Sequence, residues 1–103
     1  MSTTLKRLTM IAPREEEDVL VATLLEMQPS LPGFTTMPVA GHGEGFAKAS
    51  VHECVRGRID RLLLWLVLPE DDVQRVLEVI GRQMPHSQIV WWIEPVDAMG
   101  RLA

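Results

Sequence analysis

The chain has 103 residues, 47% of them hydrophobic and 23% charged, with a net charge of −4. These proportions fit one globular domain, residues 1–103, with a single modest core. Eight Arg and two Lys face 14 Asp and Glu, which excludes the basic footprint of a nucleic-acid binder and the polybasic stretch of a membrane-surface protein. The lone Cys54 cannot form an internal disulfide, and the longest apolar run, Leu62–Leu68, is too short to span a bilayer.

In chain order, MSTTLKRLTM has no long apolar stretch of the kind a secretory leader needs, so a cytoplasmic protein with no membrane insertion is expected. Leu5–Ile11 reads as a strand. Pro13 interrupts it, the acidic run Glu15–Asp18 follows, and an apolar helix is expected to run to about Met27. Carboxylates in a first turn oppose the helix dipole favourably, so the run marks a helix start and not a catalytic cluster. Pro29, Pro32 and Gly33 break the chain before a second strand, Phe34–Ala40, whose Pro38 confines it to a sheet edge.

The second half repeats the plan. Arg58–Leu68 reads as a strand, Pro69 interrupts, Glu70–Asp72 supply the acid, and a helix is expected to about Gln83. Val73, Val76, Leu77, Ile80 and Met84 form one helical stripe that must pack on something. Pro85 ends it, and Gln88–Glu94 gives a fourth strand. The expected fold is α+β: a ferredoxin-like β-α-β-β-α-β sandwich, with four antiparallel strands in order 4-1-3-2 and both helices on one face.

Such a sheet should alternate apolar and polar residues. These strands do not. In the third, Leu63, Trp65 and Val67 oppose Leu62, Leu64, Leu66 and Leu68; in the fourth, Ile89, Trp91 and Ile93 oppose Val90 and Trp92. Two helices cover one face only, and an uncovered apolar patch calls for another subunit. Leu63, Trp65, Trp91 and Trp92 are therefore expected as interface anchors.

Between the second and third strands lies a long connection, residues 42–57, rich in Gly and polar groups. A connection of this length is usually functional. His42, Glu44, His52 and Cys54 bring nitrogen, oxygen and sulfur donors suited to zinc or copper, though without a strict ligand spacing. Gly41, Gly43 and Gly45 offer flexible backbone donors, and Arg56, Arg58 and Arg101 offer guanidinium forks, for an anion such as a nucleotide. The readings set beside these are incidental loop residues for the donors and surface ion pairs for the arginines. No Ser-His-Asp or Cys-His arrangement suggests catalysis, Glu53 beside Cys54 would not lower the thiol pKa, and the chain has no Asn for an acylphosphatase. The protein is expected not to be an enzyme, with a small cofactor-free ferredoxin-fold enzyme kept as an alternative.

Gly41-His42-Gly43 after the second strand, Val55-Arg56-Gly57-Arg58 before the third, Gly33-Phe34-Thr35, the Pro69-Glu70-Asp71-Asp72 helix start, and Trp91-Trp92 with Pro95-Val96 and Gly100-Arg101-Leu102 resemble the PII signal-transduction superfamily. The nearest resemblance is to small PII-like proteins found beside heavy-metal efflux systems. The divalent-ion tolerance proteins of the CutA type are similar more distantly. The resemblance covers nearly the whole chain. It implies a homotrimer that binds a small effector in clefts between subunits and signals through the 42–57 loop to a membrane transporter or a regulatory protein; its CutA side implies a metal-binding protein of divalent-metal homeostasis. Two departures stand out. Pro85-His86-Ser87-Gln88 replaces the Gly-rich basic loop with which PII proteins hold ATP or ADP, and no Tyr is present for covalent control.

Overall fold

The computed structural model describes residues 4–43 and 59–102. Strand β1 (Leu5–Pro13) leads through a 3₁₀ turn (Arg14–Glu16) into helix α1 (Glu17–Leu25). Strands β2 (Phe34–Gly41) and β3 (Ile59–Pro69) follow, then helix α2 (Glu70–Gln83) and strand β4 (Val90–Val96). The sheet order is β2-β3-β1-β4, antiparallel at every pairing. This is the expected ferredoxin-like topology.

The register explains why β1 and β3 carry the core. Leu8 pairs with Leu66, Met10 with Leu64 and Ala12 with Leu62, so three rungs point apolar side chains to the same side. Leu20, Leu24 and Met27 from the α1 region and Val73, Val76, Ile80 and Met84 from the α2 region close over them, and all are buried. The α2 stripe read from the sequence is thus the buried face of α2, with Leu77 packed partly against it. Prolines precede both helical segments and no side chain caps them; acids fill the first turns, and the Glu70 N–H donates to the Thr4 carbonyl at 2.9 Å.

Three expectations shift. Helix α1 stops at Leu25, short of Met27, and its start is a 3₁₀ turn. Its apolar face is narrower than its composition, because Val21 is only half-buried and Val19 and Leu25 are exposed. Strand β4 runs Val90–Val96, two residues later than expected. The chain leaving α2 first makes a turn in which the Ser87 N–H donates to the Met84 carbonyl at 3.2 Å, and pairing with β1 begins only at Val90 opposite Ile11. Pro95 is accommodated because β4, like β2 with Pro38, is an edge strand.

The helical layer is centred on β1 and β3 and does not reach over the edges. On the helix side Trp91 and Ile93 of β4, and Pro38 and Ala40 of β2, stay exposed. The core is small enough that one cavity should matter. Leu64→Ala, at a fully buried site in the centre of β3, is expected to lower unfolding free energy by about 2–5 kcal/mol, whereas Val19→Ala on the exposed side of α1 should stay within about 0.5 kcal/mol; urea denaturation followed by circular dichroism measures both.

Candidate functional site

The face of the sheet opposite the helices is where the side chains with chemistry gather. On that face Arg7 pairs across to Val67 and Glu94, Thr9 to Trp65 and Trp92, and Ile11 to Leu63 and Val90. Thr35 and Met37 of β2 extend the rungs past Trp65 and Leu63. Residues one apart on a strand point to opposite faces, so Leu63, Trp65 and Trp92 share the open face while Trp91 lies on the helix side. Trp91 is nevertheless 49% exposed and Trp92 42%, because β4 is bare on both sides.

Within this apolar face sits one polar cluster. Arg7 Nη2 donates to Glu94 Oε1 at 2.8 Å and to Oε2 at 3.0 Å, and Arg7 Nε donates to Oε1 at 3.2 Å. Trp92 Nε1 donates to the same Oε1 at 3.1 Å. The guanidinium lies over the Trp65 ring with its carbon 5.1 Å from the centroid, a cation–π distance. Arg7 is fixed in place by one anion and one aromatic face, which a lysine would not reproduce. Hydrogen bonding from Arg7 holds the Glu94 carboxyl below its usual value of 4.5; desolvation opposes this, and the Trp92 hydrogen bond and the Arg7 charge add to it. The Thr9 hydroxyl contributes least to that lowering. It is fully buried between the two tryptophans and has no hydrogen-bond partner of good geometry.

The residues expected to bind ligands fall in different places. Gly41 is the buried last residue of β2, opposite Ile59. Gly43 has φ of +100°, a backbone state that suits glycine, and His42 between them is exposed. Gly45, Glu44, His52, Cys54, Arg56 and Arg58 lie outside the described residues, as does most of the 42–57 loop. Among the described residues no three His, Cys, Asp or Glu converge as a metal set. Arg101 follows the other end of the sheet. Phe34, Leu66, Leu8 and Ile93 share one rung; from it Gly41 lies seven residues one way and Val96 three the other, about 33 Å apart at 3.3 Å per residue. The five residues from Val96 to Arg101 reach about 17 Å at most. Arg101 and the Gly41–Gly43 turn of one chain therefore cannot grip one small ligand.

Composition and periodicity did not bring out the Arg7–Glu94 pair. The signal is present all the same: both are charges inside apolar strands, where a lone charge would be costly and a pair is expected.

A family model described as "Protein of unknown function (DUF3240)" matches residues 2–103. Among solved structures, a DUF3240 family protein from Shewanella baltica superposes with a TM-score of 0.79 at 23% identity, over 100% of both chains. CPII, a nitrogen regulatory PII-like protein from Thiomonas intermedia bound to ADP, AMP and bicarbonate, superposes with a TM-score of 0.69 at 16% identity, over 99% of this chain and 100% of that one. A putative PII-like signaling protein from Thermus thermophilus superposes at 0.62 with 22% identity, over 90% and 87%. No curated protein matches the chain. The fold is PII-like.

Because the folded Glu94 carboxyl sits below its ordinary value, the pair adds stability above about pH 4.5 and loses it as pH falls through the folded value. Glu94→Gln is expected to flatten the fall in urea midpoint between about pH 5 and pH 3 relative to the parent protein. Curves of equal slope would show that the pair carries no linkage.

Proposed function

The chain belongs to the DUF3240 family and has a PII-like fold, and from that premise we propose that it is a self-associating regulatory or sensor protein that binds a small anionic effector between its copies. The observation that carries this reading is the sheet itself. Leu63, Trp65, Val67, Ile11, Met37 and Trp92 form a continuous apolar face that neither helix covers. A patch of that kind marks an interaction surface. A homotrimer is the assembly read from the sequence resemblance, and it places the faces of three copies against one another.

The effector belongs at the end of the sheet where Gly41 and Gly43 leave β2 and Ile59 opens β3. A glycine turn offers backbone N–H groups, and Arg56 and Arg58 supply forks for phosphate or carboxylate. The ligands of the compared proteins fit that chemistry: CPII is bound to ADP, AMP and bicarbonate, and Arabidopsis thaliana PII, with a TM-score of 0.66 at 14% identity over 90% of this chain and 78% of that one, is bound to citrate. All are anions. The loop 42–57 is then the element whose order depends on the ligand and which meets a partner protein. No catalytic role is assigned to any residue in this reading. Zinc or copper at His42, Glu44, His52 and Cys54, and a link to heavy-metal efflux, form the competing reading.

Two measurements decide. Light scattering at micromolar concentration is expected to give about 35 kDa, three times the 11.6 kDa chain, and Trp65→Asp should reduce it toward one chain; a particle of one chain in the parent protein overturns the proposal. In a thermal-shift screen, a matching anion at about 100 times its Kd should stabilise by about 2.7 kcal/mol, and Arg56→Ala should abolish the shift. A response to zinc or copper alone, lost in Cys54→Ser, moves the protein to metal homeostasis.

A further inference from the structure

Two unmatched features lie at the same end of the sheet. The first is the segment after β4. Residues 97–102 are all exposed, Met99 at 64% and Leu102 at 103% of full accessibility, so two large apolar side chains touch nothing among the described residues that would hide them. The second is a groove of about 370 Å³ between the end of α1 and the start of β2, lined by Leu24, Leu25, Leu31, Pro32 and Phe34. Leu25 on its rim is 68% exposed. Both belong to one end, because Phe34 shares a rung with Ile93 and the chain leaves β4 at Val96 just beyond.

Within one chain they sit on opposite edges. β4 and β2 are separated by β1 and β3, about 14 Å of sheet at 4.8 Å per strand. Between copies they meet naturally. A rotation about an axis along the strands can bring the β4 edge of one copy beside the β2 edge of the next, and because β2 and β4 run in opposite directions that contact is antiparallel. The 97–102 segment then starts one strand spacing from the neighbour's groove, and its extended reach of about 20 Å is ample. The charges agree. Arg101 precedes Leu102, and exposed Glu26 follows Leu25 just outside the groove, in the neighbouring cavity with Arg75 and Arg82; neither Arg101 nor Glu26 is in an ion pair among the described residues. A knob on one edge and a hole on the other make a head-to-tail contact, the kind that gives a ring where its rotation closes, as the trimer proposed above requires.

We propose that the segment 97–102 of each copy lies in the α1–β2 groove of the next copy, with Met99 and Leu102 against Leu25, Leu31 and Phe34. This rests on the self-association proposed above and adds its connectivity. The segment is an exchanged clasp, and Arg101 belongs to the seam between copies at the end away from the glycine turn.

The test uses the full chain with Cys54→Ser as background and adds Leu25→Cys with Leu102→Cys. Mild oxidation should give covalent dimers and trimers on a non-reducing gel, and either cysteine alone should not give the trimer. The pair Met99→Asp with Leu102→Asp should keep the far-UV spectrum while losing copies in light scattering at low micromolar concentration. Monomer bands only, from a particle that light scattering still finds to be an assembly, overturn the clasp and leave self-association standing. A disulfide formed within one chain also overturns it. A particle of one chain before oxidation overturns both.

Discussion

The structure depends on one imbalance: a sheet apolar on two faces and only enough helix to cover the middle of one. β1 and β3 are the central strands, and their helix-side residues Leu8, Met10, Leu64 and Leu66 are buried under α1 and α2. The same two strands present Ile11, Leu63, Trp65 and Val67 on the other side, where no described element of the chain covers them. An alternating strand would have put polar residues there and the domain would be complete alone. Instead the folding of one chain leaves a second hydrophobic problem, which the proposed association would solve. In that proposed assembly, a binding function that needs a cleft would inherit its geometry from the seam between copies.

The Arg7–Glu94 cluster bears on how such a seam is specified. Leu, Val and Ile faces pack against one another in many registers, since the attraction is non-directional. A guanidinium locked on Glu94 and stacked on Trp65, with Trp92 donating to the same carboxylate, cannot be covered by an arbitrary apolar surface without cost. In the proposed assembly its contribution would be to register more than to affinity.

Much of this was legible in the sequence because the relevant physics is local or periodic. The α2 stripe from Val73 to Met84 states its own period. The prolines at 13, 69 and 85 punctuate the elements, and Pro38, which has no N–H to give a ladder, is enough to assign β2 to an edge. The double-faced grease of Leu62–Leu68 announces a covered sheet. What escaped depends on relations between distant residues. The two-residue delay of β4 follows from the turn after α2, in which the Ser87 N–H meets the Met84 carbonyl, not from the β4 sequence. Alternation placed Trp91 and Trp92 on different faces, but not the fact that the helices stop short of β4 and leave Trp91 bare. The grouping of Gly41, Gly43 and Arg101 followed chemical type, and within one chain topology sends them to opposite ends. Arg7 and Glu94 are 87 residues apart in sequence, and only the register makes them neighbours.

That separation of ends has a consequence for how a regulator of this shape would work. β4 and β2 are edge strands that would run from one end of the proposed seam to the other. The glycine turn sits at one end; the segment with Met99 and Leu102 sits at the other. An effector gripped at the loop end changes the seam only if the two edges shift relative to each other, and such a shift must carry the 97–102 segment with it. Coupling along a packed strand pair needs no separate relay, because cores and interfaces switch between discrete arrangements more readily than they bend. A clasp at the far end would then set the cost of that shift, so the affinity for effector and the hold between copies would be two readings of one equilibrium, linked in both directions.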